Sequence, residues 1–360
     1  MNHLISGIQQ VGVGVKDLLE AGKWYRKNLG FDINIVDDNG TAEKMLKYTG
    51  GEPQNRHAVI ALNLQGGGGL EVWQYKTREP QFADFEIQTG DLGIYITKIK
   101  SKCIDKAFED FKSKGIKLLS EDIEQDLSGN KHFFFEDPYG NIFQIVHENS
   151  IFAGTKASNG GVLGAIVGVS DIEKAIKFYS EILGYDSVEY KETGKFKDFK
   201  SLKRGDHIFD RALLSHSKPR LGAFSKMLGV SQIELIKIHD IIPEKIYKGR
   251  YWGDPGFIQI CFDVRNMKGL RDHCSNFGHP FTIDSNPEIY ETGGKIFGMG
   301  DAAGHFTYIE DPDGTLIEFV ETHKIPILKK LGWYLNLMKR KQHKALPDFM
   351  LKTLAWSRIK

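Results

Sequence analysis

Three glutamates in apolar, strand-like surroundings are the residues of this chain most suited to chemistry. Glu71 lies in the sequence LEVW, Glu234 in IELI and Glu318 in IEFV. An ionised carboxylate among buried apolar side chains is unfavourable unless a cation pairs with it. The three glutamates are therefore predicted either to bind a metal ion or to pair with a buried Lys or Arg. The alternative is that each points to solvent from its strand.

An internal repeat in the sequence predicts the strands and helices that position these glutamates. Residues 11–32 and 165–186 align without gaps, as VGVGVKDLLEAGKWYRKNLGFD and AIVGVSDIEKAIKFYSEILGYD. A second pair, FEDPYGNIFQIV at 135–146 and IEDPDGTLIEFV at 309–320, places Gln144 at the position that corresponds to Glu318. Repeats of this length indicate that the chain is built from duplicated structural units.

Each copy of the first repeat predicts a strand followed by a helix. Alternating apolar residues indicate the strand, and Asp17 or Asp171 stands where a helix N-cap is expected. Gly30 or Gly184 then ends the helix. With the strand-like runs and the DPxG turns that follow, the chain reads as four βαβββ units at roughly 5–77, 90–148, 160–240 and 255–322.

Length and composition predict two domains and a separate tail. A chain of 360 residues with 41% hydrophobic and 26% charged residues suits two globular domains, which we place at 1–150 and 151–323, with a tail at 324–360. The net charge of +1 argues against nucleic-acid binding by overall charge. Three widely spaced cysteines predict neither a disulfide framework nor a thiolate zinc site. Without a recognisable signal peptide or membrane span, a cytoplasmic location is expected.

The four units resemble the vicinal oxygen chelate superfamily, which includes glyoxalase I, bleomycin resistance proteins and extradiol dioxygenases. The segments GVSDIEKAIKFYSEILGY and YIEDPDGTLIEF carry this resemblance most clearly, and it extends over about residues 5–322. It implies an α+β fold in which the units pair into two cupped mixed sheets. One fold hosts many reactions in such superfamilies, so the resemblance predicts the fold better than the reaction.

The resemblance also implies where a metal ion would bind, because family ligands come from the first and last strands of paired units. The equivalent positions on first strands are Gln10, Asp91, Gly164 and Gln259, and those on last strands are Glu71, Gln144, Glu234 and Glu318. We expect Glu234, Gln259 and Glu318 of the carboxy-terminal half to bind the metal. A weaker set in the amino-terminal half consists of Gln10, Glu71 and Asp91.

The absence of histidine from all eight positions shapes the functional expectation. A two-histidine, one-carboxylate iron site cannot form there, which ranks dioxygenase chemistry low. Oxygen ligands favour manganese, magnesium or calcium over iron or zinc. The resemblance then implies a metal-dependent lyase or isomerase acting on a small or apolar carbonyl compound, with Glu318 or Glu234 moving a proton. His305 and Tyr308, on the strand before the DPDG turn, are additional catalytic candidates.

A metal-free binding protein, similar to the bleomycin resistance proteins, is the alternative from another functional class. Gly164 cannot coordinate a metal through a side chain, and the missing histidines also favour this alternative. The three retained last-strand glutamates favour the metalloenzyme.

The tail at 324–360 is strongly basic, with ten Lys or Arg residues and one acid, Asp348. Four apolar residues near one helical face predict an amphipathic helix, namely Leu328, Leu331, Leu335 and Met338. Such a helix is expected to pack on the acidic body of the protein or on a second copy in a homodimer. The alternative is that it lies on an anionic membrane.

Overall fold

Two large mixed sheets form the protein, and helices cover their convex sides. The computed structural model describes residues 3–292, 297–299, 302–328 and 333–359. One sheet has ten strands and the other has nine. The α+β class and the organisation in repeated units are confirmed, and the grouping of the units is described below.

The first unit shows how local sequence defines the elements. Its strands and helix are β1 (Leu4–Gly14), α1 (Leu18–Leu29), β2 (Ile33–Thr41), β3 (Asn55–Leu62) and β4 (Gly69–Tyr75). The Asp17 carboxylate accepts a hydrogen bond from the backbone N–H of Glu20 at 2.9 Å, which caps the first turn of α1. Gly30 ends the helix in the left-handed region, at φ 73°.

The second and third units repeat this order. Unit two contains β5 (Gly93–Ser101), α2 (Ile104–Ser113), β6 (Lys117–Leu118), β7 (Glu124–Gln125), β8 (Lys131–Glu136) and β9 (Ile142–His147). Unit three contains β10 (Val162–Gly168), α3 (Ile172–Glu181), β11 (Ser187–Gly194), β12 (Phe209–Ser215), α4 (Ser225–Leu228) and β13 (Gln232–Ile238).

The fourth unit and the tail complete the chain. Unit four contains β14 (Gly256–Arg265), α5 (Met267–Asn276), β15 (Ile283–Asp284), α6 (Ile289–Thr292), β16 (Phe297–Met299), β17 (Ala302–Glu310) and β18 (Leu316–Leu328). The tail adds β19 (Trp333–Asn336), α7 (Asp348–Lys352) and a 3₁₀ turn at Thr353–Ser357.

The sheets join units from opposite halves of the chain. Strand β1 pairs antiparallel with β14, so units one and four share the ten-stranded sheet. Strand β5 pairs antiparallel with β10, so units two and three share the nine-stranded sheet. The division near residue 150 therefore separates the repeats along the chain but not the sheets. A cup made from units three and four, as the expected carboxy-terminal site required, is not formed.

One core holds the two sheets together. It contains buried side chains from the main helices of all four units, including Leu29, Phe111, Tyr179 and Leu270. The opposite, concave faces have their own smaller clusters, one around Trp73, Trp252 and Tyr308 and the other around Phe134, Phe199 and Ile236. We call these faces the ten-stranded cup and the nine-stranded cup.

The tail differs from the predicted amphipathic helix. Strand β18 continues to Leu328 and pairs with β19, so strand pairing overrides the helical spacing of the apolar residues. Leu331 of that predicted face lies outside the described residues. Further along, Leu337, Leu346 and Leu351 are buried in a cluster with Ile33 and Leu228. The tail thus packs on the body, as one of the two alternatives expected.

Candidate functional site

Four polar residues meet on the floor of the ten-stranded cup. Strand register aligns Gly12 of β1 with Glu71 of β4, and Cys261 of β14 with Glu318 of β18. Gln10 and Gln259 lie two residues before Gly12 and Cys261, on the same face. The Nε2 of Gln259 donates to Glu71 Oε2 at 2.9 Å and lies 3.4 Å from Glu318 Oε2.

Gly12 provides the space for this arrangement. A Cβ atom at this position would lie 2.7 Å from the amide atoms of Gln259. Any side chain at position 12 would therefore displace Gln259 from between the two carboxylates.

The two carboxylates of the cup are held in a desolvated environment. Gln10, Gln259 and Glu318 are buried, whereas Glu71 is partly exposed. Burial raises the pKa of Glu318, and the nearby charge of Glu71 raises it further. Burial also raises the pKa of Glu71, against the opposing charge of Arg56. The pair is therefore poised to hold a proton or a cation between them.

Three of the four polar residues on this floor offer oxygen atoms that suit a hard divalent ion. Within the described residues, no three His, Cys, Asp or Glu side chains group closely enough to bind a metal, so an ion here would need the amide oxygens as well. The Oε1 of Gln10 is buried without a hydrogen-bond partner in the described structure, and such an atom is a natural ligand. Glu71 and Glu318 supply the negative charge.

Gln259 is the member whose oxygen is already engaged. Trp252 Nε1 donates to Gln259 Oε1 at 3.1 Å, which turns the amide nitrogen toward the carboxylates. Trp252 is itself fixed, because its backbone N–H donates to the Tyr48 carbonyl at 2.9 Å and its ring packs on Trp73 with centroids 4.8 Å apart. Gln259 thus positions the two carboxylates.

Tyr308 and Cys261 complete the surroundings of Glu318. Both side chains lower the pKa of the Glu318 carboxyl and so oppose the effect of burial, and the Cys261 thiol donates to Gln9 Oε1 at 3.6 Å. Burial and the charge of Glu318 raise the pKa of Tyr308 and Cys261 well above their usual values, so both remain protonated donors. The structure thus brings the candidate Tyr308 to the site in a supporting position.

Glu234 has a different environment, on the floor of the nine-stranded cup. Lys98 Nζ donates to Glu234 Oε2 at 2.6 Å, Tyr190 Oη donates to Glu234 Oε1 at 2.9 Å, and Arg211 Nε donates to the same oxygen. Burial alone would raise the pKa of Glu234, but the charges of Arg211 and Lys98 hold it well below its usual range. Glu234 is therefore ionised at neutral pH and paired with two buried basic side chains.

The ionic cluster of the nine-stranded cup extends beyond Glu234. Arg211 contacts the Asp198 carboxylate at 2.9 Å, and His132 lies 3.2 Å from the same group. The segment around the 3₁₀ turn Lys197–Phe199 covers the cup and buries Phe196 and Phe199, the latter 4.0 Å from the Arg211 guanidinium. Cationic side chains and aromatic rings thus occupy the space above Glu234.

The corresponding positions explain the contrast between the cups. In the nine-stranded cup Lys98 pairs with Gln144, and in the ten-stranded cup Cys261 pairs with Glu318. Because Gln144 corresponds to Glu318 in the repeat, Lys98 occupies the position that Cys261 has in the other cup. By the same alignment Ile96 takes the place of Gln259, and Gly164 that of Gln10. Four positions of the nine-stranded cup correspond to the four floor residues of the ten-stranded cup, and Glu234 is the only one of them that carries a carboxylate. The other three are Ile96, Gln144 and Gly164.

Two other predicted site residues need correction. Asp91 precedes β5 and accepts hydrogen bonds from the backbone N–H groups of Gln88 (2.8 Å) and Glu244 (3.1 Å) and from Arg204 (2.9 Å), so it fixes loops. His305 lies three residues before Tyr308 on β17 and therefore faces away from the cup. Its Nε2 lies 2.6 Å from Asp284 Oδ1.

The predicted ligand set is therefore divided and regrouped. Glu234 belongs to the nine-stranded cup, and Gln259 and Glu318 meet Gln10 and Glu71 in the ten-stranded cup. Trp252 and Lys98 are the influential residues that sequence reasoning missed. For Lys98, the signal was a lysine within the apolar strand GIYITKIKS, complementary to the isolated Glu234.

Comparison with known proteins agrees with this fold. The sequence identities are low: a glyoxalase I variant from Zea mays is 17% identical, with a TM-score of 0.52, over 88% of this chain and 93% of that chain. A putative dioxygenase from Bacillus subtilis is 12% identical, with a TM-score of 0.54, over 99% of this chain and 97% of that one. At such identities the likeness shows the fold alone. The search of curated proteins found no match.

A family model provides the more specific assignment. The model of the Glyoxalase/Bleomycin resistance protein/Dioxygenase superfamily matches residues 7–145 and 162–319. These two stretches contain the repeats at 11–32 and 165–186, all but the last residue of each repeat at 135–146 and 309–320, and all four residues on the floor of the ten-stranded cup. The chain belongs to the Glyoxalase/Bleomycin resistance protein/Dioxygenase superfamily.

Proposed function

We propose that the ten-stranded cup is the active site of a divalent-metal-dependent lyase or isomerase that acts on a small or apolar carbonyl compound. One observation carries this proposal: two desolvated carboxylates, Glu71 and Glu318, converge with the amides of Gln10 and Gln259. Membership of a superfamily that includes glyoxalases supports a reaction of this type.

Gln10, Glu71 and Glu318 would hold the metal ion through oxygen atoms. When bound, such an ion polarises a substrate carbonyl. Oxygen donors favour manganese, magnesium or calcium, with iron and zinc as weaker candidates.

The residues of the chain have distinct roles in the proposed reaction. Glu71 is the partly exposed carboxylate, so it is the group that can reach the substrate and take a proton from the carbon beside the carbonyl. Its raised pKa suits a base that must release the proton again. Glu318 is buried and lies 3.4 Å from the Gln259 amide nitrogen, which suits a fixed ligand.

The walls of the cup select for apolar groups on the substrate. Trp73, Tyr75, Trp252 and Tyr308 form one aromatic cluster beside the carboxylates. Trp73 Nε1 is buried without a hydrogen-bond partner among the described residues, and it could donate to a polar atom of the ligand.

The metal content of purified protein, measured by inductively coupled plasma mass spectrometry, tests the first half of the proposal. We expect about one equivalent of a divalent ion in the wild type and its loss in Glu71→Gln and Glu318→Gln. Glu192→Gln, the same substitution at an exposed position on β11, is the matched control and should retain the ion. Retention of the ion in both cup variants would refute the assignment.

Proton transfer is tested by hydrogen–deuterium exchange. A panel of hydroxycarbonyl compounds and thiol adducts of oxoaldehydes would be incubated with the protein in D₂O and followed by proton NMR. Enzyme-dependent exchange at the carbon beside the carbonyl is expected, with a decrease of about 10²- to 10⁴-fold in Glu71→Gln. Exchange that is unaffected by this substitution would contradict the role of Glu71 as base.

A metal-free ligand-binding protein is the second candidate, and the orientation of Gln259 favours it. With its oxygen held by Trp252, this amide presents two N–H donors to the carboxylates and partly replaces a cation. Calorimetric titration with Mn²⁺ separates the two functions. Trp252→Phe removes the indole N–H and frees Gln259 to turn, so the metalloenzyme predicts tighter Mn²⁺ binding in this variant. A metal-free protein predicts no Mn²⁺ binding in either form.

A further inference from the structure

The carboxy-terminal segment packs on the body of the protein and exposes several large apolar side chains. Phe349 is 70% exposed and Trp356 is 82% exposed, and Tyr334, Met338 and Ile359 are exposed as well. Buried Leu346 and Leu351 fix the same segment to the body. The aromatic rings are therefore held outward by a folded support.

Phe349 and Trp356 share one side of this segment. They lie seven residues apart across α7 and the following 3₁₀ turn, with exposed Lys352 three residues after Phe349. Residues at these spacings fall on the same side of a helical segment. Leu351 lies on the opposite, buried side.

The segment that carries the exposed rings is also rich in lysine. Lys339, Lys341 and Lys344 are exposed, and they form no salt bridge within the part of the chain that the structure describes. The segment's one acid, Asp348, is already paired with Lys226, at 2.8 Å. The same segment therefore presents exposed apolar side chains together with exposed lysines that lack an ion-pair partner among the described residues.

We propose that residues 334–359 bind the surface of an anionic lipid bilayer. Aromatic side chains that can enter the headgroup region and lysines that attract acidic lipids are the two components of such binding. No helix among the residues described is long and apolar enough to cross a membrane, so the contact is peripheral. This inference is independent of the chemistry proposed for the ten-stranded cup.

The charge distribution favours a bilayer over a second copy of the chain. In a twofold-symmetric dimer the same patch would face itself, which would bring two sets of lysines together. A nucleic acid would satisfy the charge but would leave the apolar Met338 and Ile359 without complementary contacts.

Co-sedimentation with vesicles tests the proposal on the full-length protein. Vesicles of phosphatidylcholine with about 30% phosphatidylserine are compared with phosphatidylcholine alone. We expect binding to the anionic vesicles only, with loss at high salt because the attraction of the lysines is screened. In the same samples, the fluorescence of the exposed Trp356 should shift to shorter wavelength.

Two variants and a matched control identify the surface. The Phe349→Ser/Trp356→Ser and Lys339→Gln/Lys341→Gln/Lys344→Gln variants should each bind at least about tenfold more weakly. The control, Leu19→Ser/Ile242→Ser, removes two equally exposed apolar side chains elsewhere and should bind as the wild type does. Unchanged urea midpoints would establish that the variants are folded.

Three outcomes would overturn the proposal. The first is equal binding of the wild type and the aromatic variant, and the second is the absence of binding to anionic vesicles. The third is a concentration-dependent dimer in light scattering, or retention of a DNA oligonucleotide, that both variants abolish while vesicles remain unbound.

Discussion

The two cups place the same residue type at the same strand position and use it in opposite ways. In the ten-stranded cup, Glu318 meets a second carboxylate, that of Glu71, and both pKa values rise. In the nine-stranded cup, Glu234 meets Lys98 and Arg211, and its pKa falls. The partners on neighbouring strands therefore decide whether a buried glutamate is available for chemistry.

The difference also separates a proposed site from a structural core. Two adjacent carboxylates repel each other, so a bound cation stabilises them. A carboxylate that is already paired with basic side chains is not stabilised further by a cation. The same glutamate-to-glutamine substitution should consequently have opposite effects on stability in the two cups. The four predictions below use this contrast.

Glu234→Gln should produce the largest effect. It leaves Lys98 and Arg211 buried with less negative charge to balance them, and we expect the free energy of unfolding to decrease by about 3–5 kcal/mol. Urea denaturation followed by circular dichroism measures this change. A decrease below about 1 kcal/mol would show that the cluster tolerates the loss and that the contrast between the cups is weaker than the structure implies.

Tyr190→Phe should have the next largest effect in the same cup. The phenol donates to ionised Glu234 at 2.9 Å, and a hydrogen bond to a charged group in a partly buried position contributes about 1.5 kcal/mol. The same urea experiment measures the loss. Tyr308→Phe is the counterpart in the ten-stranded cup, and it should alter metal affinity more than stability.

Acid should destabilise the protein through Glu234. The pKa of this group is lowered in the folded state, so its contribution to stability is complete above the unfolded pKa of about 4.5 and is lost as the pH falls toward the folded value. The slope is at most about 1.4 kcal/mol per pH unit for one group. Urea midpoints between pH 5 and pH 3 should fall more steeply in the wild type than in Glu234→Gln, and equal slopes would contradict the prediction.

Glu318→Gln should have the smallest effect on stability, and of the opposite sign. It removes one of two adjacent carboxylates, so the metal-free protein should be stabilised by on the order of 1 kcal/mol at neutral pH. Thermal denaturation in the presence of a chelator measures this change. A marked destabilisation would indicate that Glu318 is paired in the way Glu234 is.

Much of the fold follows from the sequence because its local signals are strong. Asp17 and Gly30 bound α1 as predicted, and the DPxG turns precede the strands that carry Gln144 and Glu318. The pairing of unit one with unit four could not be predicted. The first strands of all four units have similar apolar patterns, so which strand each one pairs with depends on contacts between distant parts of the chain.

The candidate site was predictable position by position but not as a group. Gln10, Glu71, Gln259 and Glu318 were each expected at ligand positions, yet their assembly depends on which units pair. Lys98 and Arg211 lie 136 and 23 residues from Glu234 along the chain, so the local sequence around Glu234 did not identify which basic residues pair with it. In the tail, the pairing of β19 with β18 replaced the expected helix for the same non-local reason.

The pairing of β1 with β14 has a consequence for how the chain folds during synthesis. Gln10 lies opposite Cys261 in this ladder, so the first strand made must wait for most of the chain before its edge is covered. The nine-stranded sheet, formed by consecutive units, can assemble earlier. An unpaired strand edge is a site of aggregation, and pairing over such separations is slow. We therefore expect the nascent amino-terminal unit to depend on chaperones and truncation after unit three to yield insoluble protein.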